Sequence, residues 1–289
     1  MCGLRQTRLR HHALHGGGGT GLHAVESGNP AGRPILLVHG WSQSHASWAR
    51  QLASPALSER FRLVALDLRG HGDSEKPAGL YADSQLWADD IRLTLEALAL
   101  DGAVLCGWSY GGYVLNDYLR CYGGARLGGL HYVSAATDAG GRMPYRFMGK
   151  GWEGILPAPG ATGPSAYSEG AEEAAAVMRT FVRRCFARPP EFPAELTMLG
   201  ISLSTPPRVR RELFARKLRN DDVLGAVTLP ALVTHGARDA IVDVETGRHI
   251  AGRIAGARLS LYEDAGHMPF WEESDRFERE LAEFASGLP

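Results

Sequence analysis

Residues 35–38 read Ile-Leu-Leu-Val, an unbroken apolar run with no polar residue to turn toward water. A strand buried on both faces has this pattern, and such strands belong to sheets covered by helices on both sides. Further short apolar runs fall at 61–66, 103–106, 129–133, 231–234 and 258–262. Between them the period lengthens. In 83–98, Leu86, Trp87, Ile91, Leu95 and Leu98 recur mainly at three- and four-residue steps, which gives one buried helical face. Helical patterns also cover 47–53, 110–122, 244–254 and 275–284. Strands alternating with helices predict right-handed βαβ units and an α/β fold with a mostly parallel sheet.

The alternation fails between Asp138 and Asp222. That stretch opens with many glycines and prolines (Gly140, Gly141, Pro144, Pro159, Gly160), then turns helical at 169–186 and 207–218. It reads as a helical insertion, which divides the chain into a core at 1–137, an insertion at 138–222 and a second core segment at 223–289. Near the start, 8–15 and 22–26 are expected to form an antiparallel edge hairpin through the turn Gly16 to Gly19.

Chemistry enters at Gly107-Trp108-Ser109-Tyr110-Gly111, a G-x-S-x-G sequence that follows the run 103–106 and opens a helical pattern. A serine on so sharp a strand-to-helix turn sits in a strained conformation, so the positions two before and two after it must be small. The turn lifts the Ser109 hydroxyl above the sheet, over a helix N-terminus whose dipole favours developing negative charge. A serine nucleophile needs a base, and the base needs an orienting carboxylate. His267, in Gly266-His267-Met268-Pro269, follows the run 258–262, and Asp239 follows the run 231–234. The resulting order is Ser109, Asp239, His267. Asp138, after the run 129–133, is the alternative acid. The tetrahedral step also needs oxyanion donors. The amide of Tyr110, directly after the serine, and that of Trp41, in His39-Gly40-Trp41, are the candidates. The indoles of Trp41 and Trp108 are candidate substrate contacts, with packing as the alternative for Trp108.

Basic residues number 31 against 32 acidic ones, so no basic surplus marks a nucleic-acid binder. No run of about 18 apolar residues implies a membrane span. The first fifteen residues lack the apolar core of a secretory signal. Four cysteines (Cys2, Cys106, Cys121 and Cys185) lie far apart without C-x-x-C spacing, which fits reduced thiols and a cytoplasmic protein. No phosphate-binding loop, no G-x-G-x-x-G after a strand and no H-E-x-x-H occurs, so neither cofactor nor metal is expected. His11, His12 and His15 beside the glycine turn read as a solvated hairpin face. Asp67, Arg69, His71 and Asp73 read as residues that shape a loop. The arginines of the insertion read as a solvated surface, with steering of an anionic substrate as the alternative.

Five segments in order carry a resemblance to the α/β-hydrolase fold: His39-Gly40-Trp41, Asp67-Leu68-Arg69-Gly70-His71-Gly72-Asp73-Ser74, residues 107–112, His235-Gly236-Ala237-Arg238-Asp239 and Gly266-His267-Met268-Pro269. The resemblance implies an eight-stranded, mostly parallel sheet with a helical lid between strands six and seven. Within the superfamily, His-Gly-Trp with Gly-Trp-Ser-Tyr-Gly-Gly is most similar to cofactor-free arylesterases and non-haem chloroperoxidase-like hydrolases. The expected activity is hydrolysis of a small or aryl carboxylic ester, or a lactone, through an acyl-serine. The same residues leave three alternatives: acyl transfer or perhydrolysis, C–C bond hydrolysis, and ligand reception without turnover. Serine at position 109 argues against dehalogenase and epoxide hydrolase chemistry, which use aspartate there. The expected partner is a small-molecule ester or lactone, with a homo-oligomer possible.

Overall fold

A computed structural model describes residues 9–138, 148–157 and 163–289. Arg8, Cys2 and the Gly/Pro-rich positions Gly140, Gly141, Pro144, Pro159 and Gly160 lie outside the described residues. The chain forms β1 (Arg10–His15), β2 (Gly21–Gly28), β3 (Arg33–Val38), α1 (Ala49–Ala53), α2 (Pro55–Ser58), β4 (Phe61–Asp67), α3 (Ser84–Ala97), β5 (Ala103–Trp108), α4 (Gly111–Tyr122) and β6 (Leu127–Val133). After the inserted segment come β7 (Ala231–Gly236), α9 (Val244–Arg253), β8 (Arg258–Tyr262), α10 (Pro269–Glu272) and α11 (Ser274–Ser286). The segment itself contains α5 (Ala171–Arg184), α6 (Phe192–Leu203), α7 (Pro207–Phe214) and α8 (Asp221–Ala226).

The eight strands form one sheet in the order β1-β2-β4-β3-β5-β6-β7-β8. The two outer pairings, β1 with β2 and β2 with β4, are antiparallel, and all the others are parallel. Every residue of β5 and β7 is buried, as unbroken apolar runs require in a sheet covered on both faces. The chain runs from β3 outward to β4, then crosses back to β5 on the other side of β3. The loops after β3 and β5 therefore diverge, and in such sheets ligands occupy the crevice at the carboxyl ends of the strands where the order reverses.

The expected hairpin is β1 and β2, closed by a 3-10 turn at Gly17–Gly19. A buried ion pair ties this turn to α3. Arg69 reaches both carboxylate oxygens of Asp90 at 2.7 Å, Asp90 also accepts the Gly17 amide, and Arg69 donates to the Gly17 carbonyl. The loop-shaping reading of Arg69 thus has a specific partner. Four helices were not legible in the sequence, and of these α2 and α10, with four residues each, are too short to show a period. In α6, Phe192, Leu196 and Leu203 are exposed, so apolar residues ring the helix and no single face stands out. Helix α8 has only six residues, too few for a period. Among the described residues no helix is long and apolar enough to cross a membrane, and Cys106, Cys121 and Cys185 are free thiols.

Candidate active site

Ser109 follows the last residue of β5 and has a φ of 54°, in the left-handed region that L side chains rarely adopt. Strain of this kind persists only when the surroundings impose it. Here they do. A Cβ on Gly107 would lie 2.5 Å from a Leu115 methyl, and one on Gly111 would lie 2.7 Å from the Val38 carbonyl oxygen. The backbone of Ser109 is held by its own amide, which donates to Val133 at 3.0 Å. Its carbonyl accepts from Gly112 and Ala136.

The loop after β3 passes directly over this serine. A Cβ on Gly40 would sit 3.0 Å from the Ser109 Cβ and 3.5 Å from its Oγ, so any larger residue would press on the serine. Two neutral histidines fix the loop. His39 accepts the Leu68 amide at Nε2 (3.0 Å), so its Nδ1 carries the proton and donates to Gly40 O at 2.8 Å. His71 accepts the Ser42 amide at Nε2 (3.1 Å) and donates from Nδ1 to Arg69 O. Burial pushes both imidazoles down, His39 to about 4 and His71 to about 3, so they stay uncharged. Trp41 lies between these two anchored residues. Its amide has no protein acceptor among the described residues, and neither has that of Tyr110.

Asp239 and His267 meet, His267 Nδ1 to Asp239 Oδ2 at 2.7 Å, both fully buried. The other carboxylate oxygen accepts the amides of Ile241 and Val242 at 2.8 and 2.9 Å. Burial opposes the Asp239 charge, but His267 and His235 outweigh it and hold the carboxyl well below its ordinary range. An ionised Asp239 requires the proton on His267 Nδ1 and leaves Nε2 free to accept one. His235 is the participant that motif reasoning missed. Its Nε2 lies 3.2 Å from Asp239 Oδ2 and 3.0 Å from Val242 O. Both neighbours are acceptors, so Nε2 carries the hydrogen. The signal was its place four residues before Asp239 in the same motif.

Asp138 does not compete for His267. Its carboxylate accepts from the Asn220 amide and the Thr137 hydroxyl instead. Trp108 lies away from the cleft. Its indole is buried against Trp48, Phe270 and His267, and Nε1 donates to the His267 carbonyl at 2.8 Å. Its expected substrate contact is thus replaced by packing, because the strand end that raises Ser109 turns its neighbour into the core.

A narrow cleft opens beside Ser109; among the described residues it is walled by Trp41, Trp152, Phe214, Ile241 and Tyr113, with Asp138 as the one carboxylate. Trp41 is central to the apolar wall, with ring centroids 5.2–5.4 Å from those of Trp152, Phe181 and Phe214. Among the described residues no arginine lines it. Several arginines of the inserted segment are engaged elsewhere: Arg179 and Arg183 with Glu195, Arg184 with the carbonyls of Gly151 and Glu153, and Arg208 with those of Lys76 and Pro77. Arg210 is buried without a carboxylate partner within ion-pair distance among the described residues. It donates to Ser42 Oγ, Ser202 O and Ala166 O, joining the inserted segment to the loop that carries Trp41.

Residues 33–274 match the alpha/beta hydrolase fold family. Among solved structures, the chain is 36% identical to the esterase RhEst1 from Rhodococcus sp. ECU1013, covering 97% of this chain and 99% of that one with a TM-score of 0.88. It is 30% identical to a protein of Burkholderia cenocepacia assigned as an aryl esterase, over 96% and 98% of the two chains, with a TM-score of 0.84. A pimeloyl-[acyl-carrier protein] methyl ester esterase of Vibrio cholerae is 26% identical over 88% of this chain and 95% of its own. The chain belongs to the α/β-hydrolase fold family and is a hydrolase.

Proposed function

We propose that the protein is a serine esterase in which Ser109, His267 and Asp239 form the catalytic set. The observation that carries this reading is the strained Ser109 at the floor of an apolar cleft, with the Asp239–His267 pair anchored to Trp108, the residue before the serine. His267 Nε2 takes the Ser109 proton as Oγ attacks the ester carbonyl. Asp239 holds the ring in the tautomer that makes this possible. The amides of Tyr110 and Trp41 bind the oxyanion. The proton then passes from His267 to the departing alkoxide. Water activated by the same imidazole hydrolyses the acyl-serine.

The lining supports a neutral, apolar ester. Among the described residues aromatic rings wall the cleft and no cationic group lines it, and Asp138 disfavours a substrate anion. An aryl or short branched acyl group suits this wall. The helical segment between β6 and β7 serves as its lid, contributing Trp152 and Phe214.

The test is turnover of p-nitrophenyl acetate through octanoate by the wild type and Ser109→Ala, with fluorophosphonate labelling of both. Multiple turnovers and labelling in the wild type alone are expected. Turnover kept by Ser109→Ala excludes this mechanism. Labelling without turnover would retain the nucleophile and reject the ester.

A further inference from the structure

We propose that His23, His45, Asp67 and Asp73 form a binding site for one divalent transition-metal ion of the zinc class, separate from the cleft. The four residues come from three segments. His23 lies on β2 opposite Asp67, the last residue of β4. His45 opens the 3-10 turn His45–Trp48 after β3, and Asp73 lies in the loop after β4. One donor atom from each residue lies within 4.8 Å of the other three. No spacing rule finds such a set, because its members are scattered from position 23 to 73.

The separations suit a small tetrahedral ion. Bonds of about 2.0–2.2 Å to nitrogen and oxygen place neighbouring donors about 3.3 Å apart. Asp67 Oδ2 stands 2.8 Å from His23 Nδ1 and 2.9 Å from His45 Nδ1, and Asp73 Oδ2 stands 3.8 Å from His23 Nδ1. These three values bracket that spacing, and the remaining pairs lie within 4.8 Å. Two imidazoles with two carboxylates favour zinc, cobalt or nickel over calcium and magnesium, which prefer oxygen alone.

The surroundings hold the central carboxylate in place. Asp67 is fully buried and further held by the amides of His45 (2.7 Å) and Asp73 (3.0 Å). Burial opposes its charge, but the hydrogen bonds from His23 and His45 prevail and keep it ionised. Asp73 is 72% exposed, which leaves a path for the ion. A neutral ring binds through Nδ1 by carrying its one hydrogen on Nε2 instead, with no net proton lost, whereas an imidazolium gives up its Nδ1 proton to solvent. For His23 the Nε2 hydrogen has an acceptor ready, since His11 Nδ1 lies 2.9 Å away. Such an outer partner orients the ligand ring. An ion here would clamp β2, the second strand from the sheet edge, to the loops after β3 and β4.

The test uses the full chain, free of any polyhistidine tag and treated with EDTA, titrated with zinc chloride by calorimetry. Cobalt chloride is then added to read the intense visible bands of a tetrahedral site. One equivalent per chain and a rise in melting temperature are expected. His45→Gln and the exposed Asp73→Asn should each weaken binding by about 100-fold and abolish the rise. Asp73→Asn keeps the test decisive should His45→Gln fold poorly. His267→Ala should bind zinc unchanged. No stoichiometric binding, binding unaltered by Asp73→Asn, or binding lost in His267→Ala would each overturn the proposal.

Discussion

Trp108 donates its indole N–H to the carbonyl of His267 at 2.8 Å, so the residue before the candidate nucleophile holds the backbone of the candidate base. Strand β5 and the loop after β8 are thereby joined at the site. Trp108→Phe keeps most of the packing but leaves a buried carbonyl without its donor, which costs about 1–3 kcal/mol. Turnover of a p-nitrophenyl ester should fall about tenfold with KM nearly unchanged, because the indole does not line the cleft. A change confined to KM would place Trp108 against substrate after all.

Asp239→Asn tests the tautomer argument. The amide nitrogen can face His267 Nδ1 only if the imidazole hydrogen moves to Nε2, where the base is needed. Turnover should drop by about four orders of magnitude, with the fold retained by circular dichroism. A drop below tenfold would mean that His267 needs no carboxylate.

Arg210→Met removes a buried cation that donates to Ser42, Ser202 and Ala166. Burial lowers its pKa to about 10, so it remains charged at neutral pH. Ser202 O keeps the Ser42 hydroxyl as a donor at 2.8 Å, but Ala166 O loses the guanidinium, and a loss of about 1–3 kcal/mol in urea unfolding is expected. Because Ser42 adjoins Trp41, the turnover number should fall too. Unchanged turnover in the folded variant would detach Arg210 from the oxyanion loop.

Stability should decline as the solution is acidified. Burial lowers His39 to about 4, and His71 and His131 to about 3. Unfolding frees each to a value near 6.5, so between about pH 6.5 and these lower values the unfolded chain holds the extra protons. Stability therefore falls with pH in that window, with a slope near pH 5 of about three protons, or about 4 kcal/mol per unit. His23 runs oppositely. Its bond to Asp67 raises its pKa, so its contribution is complete below about 6.5 and adds no slope near pH 5. Urea unfolding from pH 7 to pH 5 measures this, and His131→Leu should lower the slope by about one proton. A flat profile would mean these rings are not buried neutral.

Trp152→Ala opens the aromatic wall. The preference for longer acyl chains over acetate should rise by about tenfold in kcat/KM, the worth of one or two methylenes in an apolar pocket. An unchanged chain-length profile would put the acyl group elsewhere.

The parallel sheet was legible because its strands are continuous apolar runs, and the ends of 61–66 and 258–262 fall within one residue of β4 and β8. Ser109, Asp239 and His267 were legible because each stands on a loop directly after a strand, where local sequence constrains the backbone. What escaped was set by distant contacts. His235 matters through a carboxylate one turn away, and Trp108 is defined by a carbonyl 159 residues along the chain. Arg210 resembled any surface arginine until the chain folded over it. Asp67 and Asp73 looked like parts of one loop, and their imidazole neighbours come from other segments.

The inserted segment grips the His267 loop at two points. His267 N donates to Cys185 O at 2.9 Å, and Glu272 accepts the amides of both Gly266 and Ala187. On the proposed reading of this segment as a lid, lifting it would break the same bonds that locate the imidazole. By reciprocity, any ligand that steadies His267 must also favour the closed roof, and to the same degree in free energy. On the proposed mechanism, a substrate docked against the imidazole is its own latch, and the unroofed protein is an idle catalyst.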